Sequence, residues 1–197
     1  KIFLVETGDD NRNFLMHCHQ LDYPGLVKVL SKEIEWVINI TIDQISIDHG
    51  WTNLTQCYSN LDPIYRTAVT YRKNLIKNLR VISSKNIKQT NVAENKVFLK
   101  DVKKDASLCI AATARNFYQN EDQSFSLVNG PYHRKFLDGY YPYHLTLNIH
   151  YSPKLKFKFN IPKDQTGFQV KQKSNSLLID TVFEGRLKTE FRFDLKE

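Results

Sequence analysis

Strict two-residue alternation limits the folds open to this chain more than any other feature. In Trp36-Val37-Ile38-Asn39-Ile40-Thr41-Ile42 every second residue is apolar, the period of a strand with one buried face and one wet face. Tyr143, Leu145, Leu147, Ile149 and Tyr151 alternate in the same way with His144, Thr146, Asn148 and His150. The pattern returns at Leu155, Phe157 and Phe159, and again at Leu187, Phe191, Phe193 and Leu195. Shorter strands are expected near 54–58, 67–72, 78–83, 96–100, 106–113, 125–128 and 177–183. Turn residues separate them at Asp62-Pro63, Asn129-Gly130-Pro131, Asp138-Gly139, Ser152-Pro153 and Glu184-Gly185. Helix-period segments are nearly absent; the best is short, around Leu26–Glu35, where Val27–Leu30 equally suits the continuation of a strand. Many short strands with one polar face predict a mainly β chain, an antiparallel β-sandwich or sandwiches with few helices.

The chain has 197 residues, 41% of them hydrophobic, which is enough for a real core and excludes a disordered segment. It holds no run of about 18 apolar residues, so no transmembrane helix is expected. No secretory leader is visible, because Lys1-Ile2-Phe3-Leu4-Val5 meets Glu6 at once. If the protein is exported, its leader has been removed. The net charge of +7 favours anionic partners. The lysines read as scattered and no nucleic-acid motif occurs, so a generally basic surface is expected and nucleic acid is not. Nucleophile elbows, phosphate loops and zinc-protease helices are also missing from the sequence.

Four segments are expected: 1–33, a β-sandwich over 34–128, a turn-rich connector over 129–142, and a second sheet or small β domain over 143–197. The connector crowds Tyr132, Arg134, Tyr140 and Tyr141 together. Aromatic faces beside cations are able to stack sugars or grip anionic groups. The same residues also suit a structural connector whose tyrosines pack on both sheets.

The first segment carries the only local pattern tied to a specific chemistry. Gly8-Asp9-Asp10-Asn11 leads to His17-Cys18-His19, followed by Pro24-Gly25-Leu26-Val27. On an extended strand His17 and His19 share one face and Cys18 takes the other. Thiolate and imidazole are ligands that copper prefers. Residues 1–30 resemble the His-Cys-His copper strand that closes multicopper oxidases. The resemblance implies copper at His17, Cys18 and His19, with Met16 and Tyr23 nearby. Tyr23 stands where the family places a further histidine, and no other His-X-His pair occurs. A complete multicopper oxidase is therefore excluded on this chain alone. The competing reading is a plain strand with one half-buried cysteine.

Of three cysteines, Cys57 and Cys109 both fall in strand-like runs. A disulfide between them closes a loop of about 53 residues and contributes about 3–4 kcal/mol on the chain-entropy model. The alternative is two buried thiols in a reducing compartment. We expect the bridge, since the odd count then leaves Cys18 as the candidate ligand.

Residues 50–193 resemble a family of exported, uncharacterised proteobacterial proteins. The likeness rests on Gln56-Cys57-Tyr58-Ser59-Asn60-Leu61-Asp62-Pro63, Asn129-Gly130-Pro131, Phe136-Leu137-Asp138-Gly139-Tyr140-Tyr141-Pro142 and Phe183-Glu184-Gly185-Arg186-Leu187. It implies a periplasmic or secreted home and assigns no activity. Two functions follow as expectations. One is an exported copper- or soft-metal-binding β protein, accessory to a redox or copper-handling system. The other is a non-catalytic periplasmic binding or assembly module for a protein, glycan or lipid partner.

Overall fold

The computed structural model describes residues 2–6, 34–136, 139–140, 142–163 and 167–196. The elements begin with β1 (Ile2–Glu6), β2 (Glu35–Ile42), α1 (Gln44–His49), β3 (Trp51–Leu61) and β4 (Ile64–Thr70). A long pair follows, β5 (Ile76–Ala93) and β6 (Lys96–Arg115), then β7 (Phe117–Gln119) and β8 (Phe125–Tyr132). The remainder is β9 (Arg134–Phe136), β10 (Gly139–Tyr140), β11 (Tyr143–Tyr151), β12 (Leu155–Ile161), β13 (Val170–Lys173), β14 (Ser176–Phe183) and β15 (Leu187–Leu195). Strand dominates, as the alternation requires. Among the described residues no helix is long and apolar enough to cross a membrane.

Two sheets share the core. The larger has 11 strands in the order β10-β9-β1-β4-β6-β3-β2-β11-β14-β13, with β5 paired to β6. The smaller has 4 strands in the order β12-β15-β8-β7. The larger sheet is mixed rather than purely antiparallel, because β2 runs parallel to β11 and β1 parallel to β4. A parallel neighbour needs a long crossover, and here strands β3 to β10 fill the chain between β2 and β11.

The division expected near 129–142 does not separate two sheets. Strands β11 and β14 extend the larger sheet beside β2, while β15 pairs with β8 in the smaller one. The physical reason is coverage. Core contacts cross the division: Phe193 of β15 packs on Phe117 of β7 as well as on Tyr151 of β11. The 129–142 segment carries the chain from the smaller sheet, at the end of β8, to β9 and β10 of the larger.

The core follows from the alternation. Trp36, Ile38, Ile40 and Ile42 of β2 and Leu145, Leu147 and Ile149 of β11 are buried. Leu127, Phe191 and Phe193 of the smaller sheet join the same cluster. Aromatic contacts stitch the sheets together, with Phe193 lying 5.1 Å from Tyr151 and 6.1 Å from Phe117, ring centre to ring centre.

The helix α1 is not foreshadowed by periodicity, since six residues are too few to show it. Its signals are its ends. The Asp43 carboxylate accepts from the Ser46 backbone N–H at 2.9 Å, and the Asp43 N–H donates back to Ser46 Oγ at 3.1 Å. Gly50 closes the helix at φ 77°, where a Cβ would lie 2.6 Å from the Phe117 carbonyl oxygen. The helix expected over Leu26–Glu35 lies mostly outside the described residues, and Glu35 is already strand.

Candidate binding surface and inter-sheet pocket

The longest elements form one hairpin. β5 has 18 residues and β6 has 20, joined through Glu94 and Asn95. Alternation alone suggested three shorter strands here. The interruptions are bulges at Asn78, Asn86, Asp101 and Asp105, all with φ between 52° and 57°. Asn and Asp tolerate that left-handed conformation better than other side chains. Each bulge shifts the inward and outward faces by one residue, so the strand continues while its sequence period breaks. Across one such site Asn86 Nδ2 donates to the carbonyl oxygens of Lys104 and Asp105, at 3.1 and 3.3 Å.

The hairpin also collects the charge. Residues 72–105 contain ten Lys and Arg against three Asp and Glu, a net +7 equal to that of the whole chain. The rest of the protein is therefore balanced, and the basic surface is local rather than general. β5 is exposed along most of its length and pairs with β6 alone among the described residues. Its cations are Lys77, Arg80, Lys85 and Lys88, while β6 adds Lys96, Lys100, Lys103 and Lys104. Two long ion pairs draw on this set, Lys73–Glu94 at 3.6 Å and Lys88–Asp101 at 3.7 Å. Aromatic rings border it. The Lys77 ammonium sits 3.9 Å from the centre of the Trp51 ring, and Arg66 lies 5.2 Å from that of Tyr65, which is 62% exposed.

Behind the hairpin, Cys57 of β3 and Cys109 of β6 stand directly opposite in the ladder and are disulfide-bonded, with Cα atoms 4.1 Å apart. The bond joins the strand that carries half the hairpin to the centre of the larger sheet.

The other residues singled out from sequence fall in different places. His17, Cys18 and His19, together with Met16 and Tyr23, lie outside the described residues, as does Tyr141. Among the described residues no three His, Cys, Asp or Glu side chains group to hold a metal. His144 pairs with Asp180 across β11 and β14. Arg134 and Tyr140 belong to β9 and β10 at one edge of the larger sheet. Tyr132 is 2% exposed, and its ring meets Trp36 edge-on at 4.9 Å. At this position the segment contributes packing.

Tyr132 also borders a pocket of about 110 Å³ between the sheets, at the base of the hairpin. Gln56, Tyr71, Asn129 and Tyr132 line its buried end, and the exposed Arg72 and Arg115 flank its opening. Sequence reading missed this site. Its one signal was Gln56, a polar residue at an inward position between Leu54 and Tyr58. Both Tyr71 and Tyr58 donate to Gln56 Oε1, at 2.7 and 3.1 Å. Thr52 donates to Asn116 Oδ1 at 2.7 Å, and Asn116 Nδ2 donates to Asn129 Oδ1 at 2.8 Å. β8 runs straight through Asn129-Gly130-Pro131, which the sequence suggested was a turn. A bulge opposite Lys188 absorbs the extra residue. At Gly130 φ is 86° and a Cβ would lie 2.5 Å from the Leu187 carbonyl oxygen, so a side chain does not fit there.

Burial pushes the Tyr71 and Tyr132 hydroxyls well above the ordinary tyrosine value. Both stay protonated donors at any physiological pH. The unfolded chain releases these protons first, from about pH 10, so folding binds them more tightly. Stability is therefore intact below about pH 10 and falls as pH rises past it, by about 2.7 kcal/mol per pH unit for the two groups together. Urea midpoints measured at about pH 9 and about pH 11 should show this drop, and Tyr71→Phe should roughly halve it. A flat profile would mean that both hydroxyls reach water.

No family model matches the chain, and no curated protein matches it. Among solved structures, it is similar to a mutant M1 zinc metallopeptidase from Deinococcus radiodurans bound to a Tyr-Ser-Ala substrate. That likeness has a TM-score of 0.47 at 10% identity and covers 83% of this chain and 43% of the other. A two-domain M1 zinc metallopeptidase mutant bound to L-tryptophan gives 0.45 at 12% identity, over 83% of this chain and 43% of that one. This chain thus spans less than half the length of either. The fold and surfaces described above define a two-sheet β module with a basic hairpin, and nothing narrower.

Proposed function

We propose that this chain is a non-catalytic binding module that docks an acidic, extended segment of a protein partner along its basic hairpin. The observation that carries this reading is the placement of the whole net charge of +7 on residues 72–105, where β5 offers 18 residues of sheet edge. An extended segment adds to such an edge through main-chain hydrogen bonds. Lysines on an edge repel a second copy of the same edge, which guards against self-association. Towards an acidic strand the same charges attract, so one device serves both specificity and solubility. At about 3.3 Å per residue the edge is roughly 60 Å long, a length suited to a linear partner rather than a point ligand. An oxidising home such as the periplasm agrees with this reading, because disulfides like Cys57–Cys109 persist there.

The test uses a labelled peptide of about ten alternating Glu and Val residues, read by fluorescence anisotropy at two salt concentrations. Binding should be saturable at low salt and weaken several-fold near 0.15 M, where the Debye length is about 8 Å. A peptide of alternating Lys and Val should not bind. Equal binding of both peptides, or of neither, removes this function.

A second reading is copper or another soft metal at His17, Cys18 and His19. Two observations favour it. One is the triplet itself; the other is that Cys57 and Cys109 are bonded to each other, which leaves Cys18 as the remaining cysteine of the chain. Elemental analysis after copper loading and desalting should find about one copper per chain, lost in Cys18→Ser. No retained copper in either protein ends this reading.

A further inference from the structure

The pocket between the sheets has a chemical bias that the hairpin reading does not use. Its buried acceptors are already occupied. Gln56 Oε1 takes two tyrosine hydroxyls, and Asn129 Oδ1 takes the Asn116 amide. What remains on the buried side is a donor. Asn129 is 6% exposed, and its Nδ2 has no hydrogen-bond partner. A buried donor left without a partner pays its desolvation with nothing in return, so a native fold that retains one has an acceptor to offer it. At the opening, Arg72 and Arg115 add two positive charges.

The rest of the wall is apolar, made by Leu54, Leu75, Ile76 and Val128. A doubly charged, strongly hydrated anion such as phosphate would have to shed water against these side chains, which is costly. A single carboxylate on a short hydrocarbon tail matches both halves. Size sets the upper limit: an apolar cavity of about 150 Å³ takes up the six carbons of benzene, so the 110 Å³ found here encloses about four non-hydrogen atoms, and a ligand of butyrate's length fills it and reaches its mouth.

We propose that this pocket is a binding site for a small monocarboxylate, its head towards the Asn129 amide at the buried end, its charge attracted by the two arginines at the opening, and its tail against Leu54, Leu75, Ile76 and Val128. The site is independent of the hairpin's partner, and either proposal stands if the other fails. Butyrate is the probe. Titrated into ¹⁵N-labelled protein, it should shift the side-chain amide signals of Asn129 and Asn116 saturably, at roughly millimolar affinity or tighter. Butyramide, equal in size but uncharged, should shift them at least tenfold more weakly. Inorganic phosphate should leave them unmoved. Arg72→Gln with Arg115→Gln, both exposed, should weaken butyrate at least tenfold, and Asn129→Leu should abolish the saturable shift of the remaining Asn116 signal. The proposal is overturned if butyrate gives no saturable shift, which would leave only water in the pocket. It is equally overturned if butyramide binds as well, or if the double arginine variant binds butyrate unchanged.

Discussion

Reversing Lys77, Arg80 and Lys85 to Glu is expected to weaken binding of an acidic extended peptide about a hundredfold. The estimate follows from exposed ion pairs, each worth about 0.2–1 kcal/mol. Reversal replaces an attraction of that size by a similar repulsion, so each site changes by about 1 kcal/mol and three sites by about 3. All three side chains lie on β5, which pairs only with β6 among the described residues. They are exposed, so the variant should fold with its stability little changed. The control reverses Lys156, Lys171 and Lys173, exposed residues on β12 and β13. It changes the net charge equally yet leaves the hairpin intact, and it should bind the peptide within about threefold of the parent. Equal losses in the two variants would show that net charge alone, and not the hairpin, attracts the peptide. Anisotropy titrations at low salt read both.

Trp36→Ala should cost about 3–5 kcal/mol, a large share of the 5–15 kcal/mol by which domains of this kind are stable. Trp36 is 0% exposed at the centre of β2. It stacks on Tyr58 at 5.2 Å and meets Tyr132 edge-on at 4.9 Å, so it touches β3 of its own sheet and the end of β8 in the other. Removing the indole opens a cavity where the two sheets and the pocket-lining Tyr132 are locked together. The pocket should therefore lose its carboxylate response in the same variant, which makes Trp36→Phe the useful companion. The phenyl ring keeps part of the contact and should recover at least half of the loss. Tyr65→Ala, by contrast, removes an exposed ring and should change stability by no more than about 0.5 kcal/mol. Urea denaturation of the three variants gives the ranking, and a cost below about 1 kcal/mol for Trp36→Ala would contradict the packing described here.

Much of the fold was legible because strand burial writes itself into a period of two. The runs at 36–42 and 143–151 were read as strands and are β2 and β11, with Trp36, Ile38, Ile40, Ile42, Leu145, Leu147, Ile149 and Tyr151 inward. The Cys57–Cys109 bond was likewise open to sequence reading, since both cysteines sit mid-strand. The hairpin was legible only in pieces, because Asn78, Asn86, Asp101 and Asp105 reset the faces of β5 and β6. Its charge was in plain view as composition but looked dispersed, because ten cations spread over 34 residues form no dense run. Folding those residues back on themselves concentrates them. The pocket was hardly legible at all. Gln56, Asn129 and Arg115 are distant in sequence, and only the packing of β3, β6 and β8 brings them to one pocket.

What the sequence by itself determined is local: which residues face inward, where strands run, and how much positive charge the chain carries. Periodicity and composition are properties of neighbouring residues, and they survive without knowledge of the partners. What only the tertiary structure decided is pairing. The parallel placement of β2 beside β11, the sharing of both sheets by both halves of the chain, and the leftover donor on Asn129 all depend on contacts between distant segments. An alternating strand offers the same edge and the same apolar face to many possible neighbours, and burying every such face at once is a condition that only the complete fold satisfies.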